Sequence, residues 1–276
     1  MRQFPGCNSG VIVVAATWVA MLIVAPAWAQ VEPDAPQPCP KAQHEQSPTH
    51  DAAVAILTKA DAAIKRVKAV RYHATVTAGG VRAKHFPTIS GTAAFYGDLS
   101  EGFRHFYFDV TIQPSDGKSS RRLTTGGDGT TFFMIDWKNR IAYEDMDIKV
   151  IGADGRRAQA ITMIEYIHPT PFTQEIEGAR VELRDSVLVG KEECYVIHVV
   201  YGINGQEATW YFAKKDYLPR RVRRSFPILS GQRAYRDYVI SDLEVDPTLD
   251  ARLFKLALPE GFEKKNEFAP ARRIPW

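Results

Sequence analysis

The stretch "WYFAKKDYLPRRVRRSF", residues 210–226, predicts a β-hairpin and holds six basic side chains against one acidic side chain. Trp210 and Phe212 occupy alternate positions, so they share one face of a strand. Residues 214–217 form the turn, and Leu218-Pro219 opens the return strand. A strand that turns directly into its neighbour indicates an antiparallel sheet.

The return strand of this hairpin carries arginines on both faces. Arg221 and Arg223 lie on one face, whereas Arg220 and Arg224 lie on the other with Val222. We therefore expect a strand at the edge or rim of the sheet, where charges and a proline also block edge-to-edge pairing. The four arginines then form a solvated rim, or they contact a lipid head group or an acidic protein partner.

Alternating segments extend the sheet on both sides of the hairpin. In residues 102–112, Phe106 and Phe108 share one face, with His105 and Tyr107 on the other. Further strands are predicted in 70–79, 127–137, 140–148, 193–201, 206–212 and 232–245, with an Asn204-Gly205 hairpin signal. About ten antiparallel strands in one sheet curl instead of lying flat, which predicts an incomplete β-barrel.

Helical periodicity is confined to a few segments. Ser47-Pro48 has the pattern of a helix start, and the apolar spacing continues to about residue 67. A second helix is predicted over Arg156–Ile167, and a short turn over Thr248–Phe254. The expected fold class is α+β: a curved antiparallel sheet forming an incomplete β-barrel covered by helices, with an apolar interior of ligand size.

The N-terminus has the pattern of an export signal. Arg2 precedes the apolar run 11–25, and Ala27-Trp28-Ala29 fits a cleavage site before Gln30. The run of about 15 residues is short for the roughly 20 of a membrane-spanning helix, so a retained anchor is the weaker alternative. We expect a signal peptide at 1–29, a flexible proline-rich leader at 30–48, the folded domain at 49–265, a C-terminal tail at 266–276, and a periplasmic location.

Net charge and cysteine content narrow the choice of partners and compartment. A net charge of +3 over 276 residues creates no global attraction to a polyanion, and an exported protein rarely meets nucleic acid, so we expect no nucleic-acid partner. Cys7 lies in the predicted signal, which leaves Cys39 and Cys194 in an oxidising compartment. A Cys39–Cys194 disulfide and two free cysteines both agree with this count.

Three short motifs follow one another in the second half of the chain. Val189-Gly190 leads into a strand, Leu218-Pro219-Arg220-Arg221 follows the aromatic strand of Trp210, and the end carries Phe254 with Pro259-Glu260-Gly261-Phe262. In this order they resemble the LolA-like superfamily of outer-membrane lipoprotein carriers, over roughly residues 50 to 265. The resemblance implies an incomplete barrel with helices across its mouth and a cavity for acyl chains of lipoproteins or lipids.

The sequence carries none of the usual catalytic or metal-binding motifs. It has no His-Glu-x-x-His, no paired Cys-x-x-Cys and no Gly-x-Ser-x-Gly element. We therefore expect a protein that is not an enzyme and has no catalytic residue, metal or cofactor.

The expected ligand site is aromatic, although the same residue types also form ordinary cores. Its candidate residues are Phe106, Phe108, Phe133, Trp137, Trp210 and Phe212. The first expected function is a periplasmic carrier or binding protein for lipid, acylated lipoprotein or another hydrophobic ligand, at most peripheral to the membrane. The alternative is an envelope sensor or scaffold of the same fold that acts through protein–protein contacts.

Overall fold

One sheet runs through nearly the whole described chain. The structure, a computed structural model, describes residues 48–81, 83–97, 105–202, 205–228 and 231–266. The strands are β1 (Ala69–Gly80), β2 (Thr88–Tyr96), β3 (His105–Gln113), β4 (Arg121–Gly127), β5 (Phe132–Asp136), β6 (Ile141–Asp145), β7 (Arg180–Val189), β8 (Glu192–Val200), β9 (Glu207–Ala213), β10 (Pro219–Pro227), β11 (Arg233–Val245) and β12 (Glu263–Lys265). The predicted signal peptide, the leader up to residue 47, Cys39, Asn204 and the tail from residue 267 lie outside the described residues.

The sheet is unclosed. The strand order is β12-β6-β5-β4-β3-β2-β1-β11-β10-β9-β8-β7, and no pairing among the described strands joins its two ends. Neighbouring strands are antiparallel, except that β12 runs parallel to β6. The predicted fold class is confirmed: this is an α+β fold in which a curved antiparallel sheet forms an incomplete β-barrel covered by helices.

The helical elements are short apart from the first. They are α1 (Pro48–Ile64), α2 (Gly152–Ala158), α3 (Thr173–Ile176) and 3₁₀ turns at Ala83–His85, Ile148–Ile151, Gln159–Ile161, Ile164–Ile167 and Ala251–Phe254. We call residues 148–176 the cover segment, and the face of the sheet that packs against α1 and the cover segment the inner face. The opposite face is the outer face.

The inner face buries the main core because the strands alternate as predicted. In β3, Phe106 and Phe108 are fully buried, whereas His105 and Tyr107 on the outer face are partly exposed. From α1, the small and apolar side chains Ala53, Leu57 and Ala60 are completely buried in the same core.

The predicted helix over Arg156–Ile167 is broken into short pieces by a contact with β1. The Tyr72 hydroxyl donates to the Ile161 carbonyl oxygen at 3.2 Å and accepts from the Met163 backbone N–H at 2.9 Å. Because the sheet satisfies these backbone groups, the chain can leave the helix there and run extended through Met163. This contact therefore fixes the cover segment to the inner face of the sheet.

A buried ionic network also ties the cover segment to the sheet. Arg121 on β4 donates to Asp154 of α2 at 2.7 Å and pairs with Asp136 on β5. Asp154 accepts in addition from Arg157 at 2.7 Å. Both carboxylates are buried, so α2 has a defined place over β4.

The prediction that the arginine-rich strand lies at the sheet edge is wrong. β10 pairs with β9 on one side and β11 on the other. Pro219 is tolerated because it is the first residue of the strand and precedes a register shift. The outward arginines, Arg221 and Arg223, both pair with Asp237 on β11, which the local sequence does not reveal.

Candidate functional site

Four of the six predicted aromatic residues form packed core. Trp210 and Phe212 on β9 stack at 5.7 Å between ring centroids, and Phe172 after the cover-segment turns lies edge-on to them at 5.1 and 5.2 Å. Phe106 and Phe108 are 5.7 Å apart and equally buried. These rings therefore fill the space where a cavity was expected.

Phe133 and Trp137 do not belong to that group, so the prediction that all six aromatic residues share one cavity wall is wrong. They lie on the outer face in a separate cluster with Tyr107, Ile135, Ala142, Leu256 and Phe262. The Trp137 and Phe262 rings meet edge to face at 5.3 Å. The C-terminal segment therefore covers these residues, and they belong to a second, outer core.

A cavity does lie on the inner face, displaced from the aromatic core. Its larger part, which we call the wide compartment, has a volume of about 980 Å³. The cover segment contributes Met163, Glu165 and Gln174, and the sheet contributes Tyr201 and Arg224.

A smaller space, the narrow compartment, has a volume of about 440 Å³. Its floor is mostly apolar, with Val76 and Ala78 from β1 and Ile89 from β2. Arg236 and Tyr238 on β11 line both compartments, so the two adjoin. Together they form a bent groove between the cover segment and the centre of the sheet.

An ion pair crosses the wide compartment from cover to floor. Arg224 on β10 donates to Glu165, and its guanidinium lies over the Trp210 ring at 5.1 Å. Burial raises the pKa of the Glu165 carboxyl, and the positive charge of Arg224 opposes that shift in part. The second carboxylate oxygen of Glu165 is buried without a hydrogen-bond partner among the described residues.

A second polar contact lies beside this pair. The Tyr201 hydroxyl donates to the buried Glu175 carboxylate at 2.7 Å, and burial raises the pKa of Tyr201 above its ordinary value. The lining of the wide compartment therefore combines paired polar groups with buried polar atoms that have no partner among the described residues, namely Thr162 Oγ1, Glu165 Oε2 and Arg236 Nε.

Arg236 occupies a different environment. It stands directly opposite Arg224 across the β10–β11 ladder and opposite Ala78 across the β11–β1 ladder. Its guanidinium lies over the Phe86 ring at 4.7 Å, and its Nε is buried without a partner in the described structure. No carboxylate of the described residues is within ion-pair distance of it.

The arginines predicted to contact a partner have acidic partners within the chain. Arg220 is buried and donates to Glu192 at 2.9 Å and to Asp216 at 2.6 Å. Arg221 and Arg223 share Asp237, with donor distances of 2.8 and 2.7 Å. Only Arg224 lines the groove.

Cys194, the described member of the predicted disulfide, is buried on β8 and has no disulfide partner among the described residues. Burial raises the pKa of Cys194 to about 11. Cys39 lies outside the described residues, so the bridge stays a prediction.

The groove residues that sequence reasoning missed come from distant parts of the chain. Arg236 and Tyr238 lie at alternate positions of the predicted strand 232–245. The sequence therefore indicated that these two side chains share a face of the sheet. Phe86 and Glu165 carried no such sign, because only the fold brings Phe86 to Arg236 on β11 and Glu165 to Arg224 on β10.

Comparisons with known proteins give likenesses of fold. No family model and no curated protein matches this chain. Among solved structures, the lipoprotein LppX of Mycobacterium tuberculosis is 11% identical, with 72% of this chain and 98% of LppX covered at a TM-score of 0.44. The LolA superfamily protein NE2245 of Nitrosomonas europaea is 13% identical, with 74% and 97% covered at a TM-score of 0.31.

A third similar structure is a complex. MucB in the MucA/MucB complex of Pseudomonas aeruginosa is 10% identical, with 75% of this chain and 61% of the other covered at a TM-score of 0.40. At such identities and TM-scores these likenesses transfer no function. The unclosed sheet and its helical cover described above agree with the incomplete barrel that the LolA-like resemblance implies.

Two further observations concern membrane-spanning helices and metal-binding clusters. None of the described helices is both long and apolar enough to cross a membrane. No cluster of three or more His, Cys, Asp or Glu side chains suited to a metal ion occurs in the described ranges.

Proposed function

We propose that this chain is a non-enzymatic periplasmic binding protein for an amphipathic ligand, either a lipid or the acyl chain of a lipoprotein. The observation that carries the proposal is the groove itself. Its compartments, about 980 and 440 Å³, fall in the size range of ligand sites and adjoin at Arg236 and Tyr238.

The division of the groove suits a molecule with one apolar and one polar end. The narrow compartment offers Val76, Ala78 and Ile89 to an alkyl chain, and each buried CH₂ contributes about 0.8 kcal/mol. The wide compartment offers the charged groups of Glu165 and Arg224 to polar atoms. Binding of this kind requires no reacting group.

The test is native mass spectrometry of the protein purified from the periplasm, followed by lipid extraction. We expect one lipid or acylated molecule per chain, released on extraction, and uptake of a hydrophobic dye by the emptied protein. A protein that arrives empty and also takes up no dye would overturn the proposal.

A second candidate function is an envelope sensor or scaffold, favoured by the edge strand β7. No described strand pairs with its outer side, and Leu188 near its end is 70% exposed. An exposed edge of this kind can accept a strand from a partner. A photo-crosslinking residue at Leu188 should give one discrete adduct in the periplasm, and the same residue at the exposed Met146, which follows β6 and lies away from β7, should give much less. Equal or absent labelling at both positions would exclude this edge as the contact.

A further inference from the structure

We infer that the narrow compartment selects an amphiphile with an anionic head group, a carboxylate or a phosphate, and that Arg236 is the residue that recognises it. This inference rests on the proposed function and names the class of ligand.

The charge of the narrow compartment supports the inference first. Its charged lining residues are Arg156, Arg157 and Arg236, without an acidic residue among them. Arg157 is paired with Asp154, but Arg156 is exposed and has no ion-pair partner among the described residues. The acidic side chains Glu165, Glu177 and Glu207 line only the wide compartment. An anionic head group is therefore favoured at Arg236, where the narrow compartment adjoins the wide one, with its alkyl chain in the narrow compartment.

The position of Arg236 in the sheet also favours an anionic ligand. Like charges directly opposite on one face of an antiparallel pair are destabilising, and Arg224 and Arg236 form such a pair. Glu165 compensates Arg224, whereas Arg236 has only the Phe86 ring and a buried Nε without a partner in the described chain. A guanidinium binds a carboxylate or phosphate through paired hydrogen bonds. An anionic head group would therefore supply what Arg236 lacks.

The apolar floor distinguishes an amphiphile from a bare anion. Val76, Ala78 and Ile89 lie beside Arg236 and can donate no hydrogen bond through their side chains. A ligand that carries an alkyl chain gains from this surface, whereas inorganic phosphate leaves it hydrated.

The test compares ligands of one chain length and different head groups. Calorimetry with the lipid-free protein would use decanoate, decyl phosphate, neutral 1-decanol and inorganic phosphate. We expect the two anionic amphiphiles to bind at least about tenfold more tightly than decanol, and phosphate to bind at least about tenfold more weakly than decyl phosphate. Arg236→Gln should bring the ratio of decanoate to decanol affinity to within about twofold. Arg184→Gln, on the exposed outer side of β7, should preserve the ratio.

The outcomes separate the inference from the function on which it rests. Decanol binding as tightly as decanoate, or an unchanged ratio in Arg236→Gln of normal thermal stability, overturns the anionic selectivity only. Inorganic phosphate binding as tightly as decyl phosphate would identify a plain anion site. Failure of every alkyl probe to bind overturns the proposed function itself.

Discussion

Glu165 and Arg224 form an ion pair whose two members are unequally buried: the Glu165 side chain is 4% exposed and that of Arg224 is 39% exposed. The pair ties the cover segment to β10. Removing the Arg224 side chain and removing the Glu165 carboxylate should lower the free energy of unfolding by different amounts. Water can reach Arg224 when Glu165 is absent, whereas the largely buried Glu165 is hydrated only in small part when Arg224 is absent.

Arg224→Met should therefore destabilise the fold more than Glu165→Gln. We expect a loss of about 3 kcal/mol for Arg224→Met at pH 7, because a buried carboxylate loses its partner, and about 1 kcal/mol for Glu165→Gln. Urea unfolding measures both. Arg233→Met, which removes an exposed pair with Glu207, is the control. Equal losses for the two test variants would contradict the unequal burial.

The same variant should respond to pH in a defined direction. Because burial raises the pKa of Glu165 above 4.5, the folded state binds more protons than the unfolded state above that pH. Its contribution to stability therefore falls as pH rises. Without the opposing charge of Arg224 this effect grows, so Arg224→Met should lose more stability than wild type between pH 5 and pH 7. Parallel losses would show that Arg224 does not act on Glu165.

Asp237 should make an opposite, acid-sensitive contribution. Burial alone would raise its pKa, but hydrogen bonds from Arg221 and Arg223 hold the pKa below the ordinary value of 3.8. The folded state then binds fewer protons, so this stability is present above about pH 4 and is lost as pH falls through the lowered pKa. Asp237→Asn should cost about 2 kcal/mol at pH 7 and progressively less as the pH is lowered below 4. A deficit that does not shrink with falling pH would refute the assignment.

Filling the narrow compartment should block ligand binding without loss of the fold. Ala78 points into it from β1, so Ala78→Trp should lower dye or lipid uptake at least about tenfold. Thr75→Trp adds the same indole to the opposite face of β1 and is therefore the matched control. If uptake falls equally in both variants, the binding site lies elsewhere.

The outer core should depend on the end of the chain. Phe262 packs on Trp137, and the adjacent Glu263 N–H donates to the Arg140 carbonyl oxygen at 3.0 Å. Phe262→Ala should cost about 1–2 kcal/mol and accelerate hydrogen exchange at Glu263. Leu258→Ala, at a side chain that is 47% exposed, should change neither. Unchanged exchange in Phe262→Ala would mean that β12 holds without the aromatic contact.

Cys194 should be unreactive while the protein is folded. With its pKa raised to about 11 and its side chain buried, little thiolate exists at pH 8. In a Cys39→Ser variant, iodoacetamide should label Cys194 about a hundredfold more slowly in buffer than in urea. Labelling at equal rates would show that β8 opens. The mass of unreduced wild-type protein tests the Cys39–Cys194 bridge separately.

Sequence periodicity predicted most strands whose buried face is apolar, but it missed β2, in which Ile89 and Phe95 are buried. Phe106 and Phe108 in β3, and Trp210 and Phe212 in β9, all occupy the expected inner face. The periodicity also missed β4, because Leu123 is the one large apolar side chain among its buried residues and Thr124, Thr125, Gly126 and Gly127 follow it. A side chain at Gly126 would meet the Phe133 ring at 2.7 Å, so the neighbouring strand supplies the apolar surface there. β7 was missed because an edge strand that is largely exposed needs no apolar alternation.

The candidate site was less predictable because long-range pairing creates it. The aromatic residues that stood out in the sequence became core, since the rings pack on each other. Arg236 became notable only through its neighbours, Arg224 across one ladder and Phe86 from a 3₁₀ connection. Local sequence carries no information about either contact.

The central β1–β11 pairing has a consequence for how the protein is made. Strands β1 to β6 and strands β7 to β11 are two meanders of consecutive neighbours, joined only through β1 and β11. Val76 and Ala78 lie on one side of that seam, and Arg236 and Tyr238 on the other. A chain emerging N-terminus first can complete the first meander, including the β1 and β2 part of the narrow compartment, but Arg236 and Tyr238, which line both compartments, are absent until β11 is made. Ligand capacity is thus a property of the finished chain, and any product that stops before residue 233 is synthesised without it.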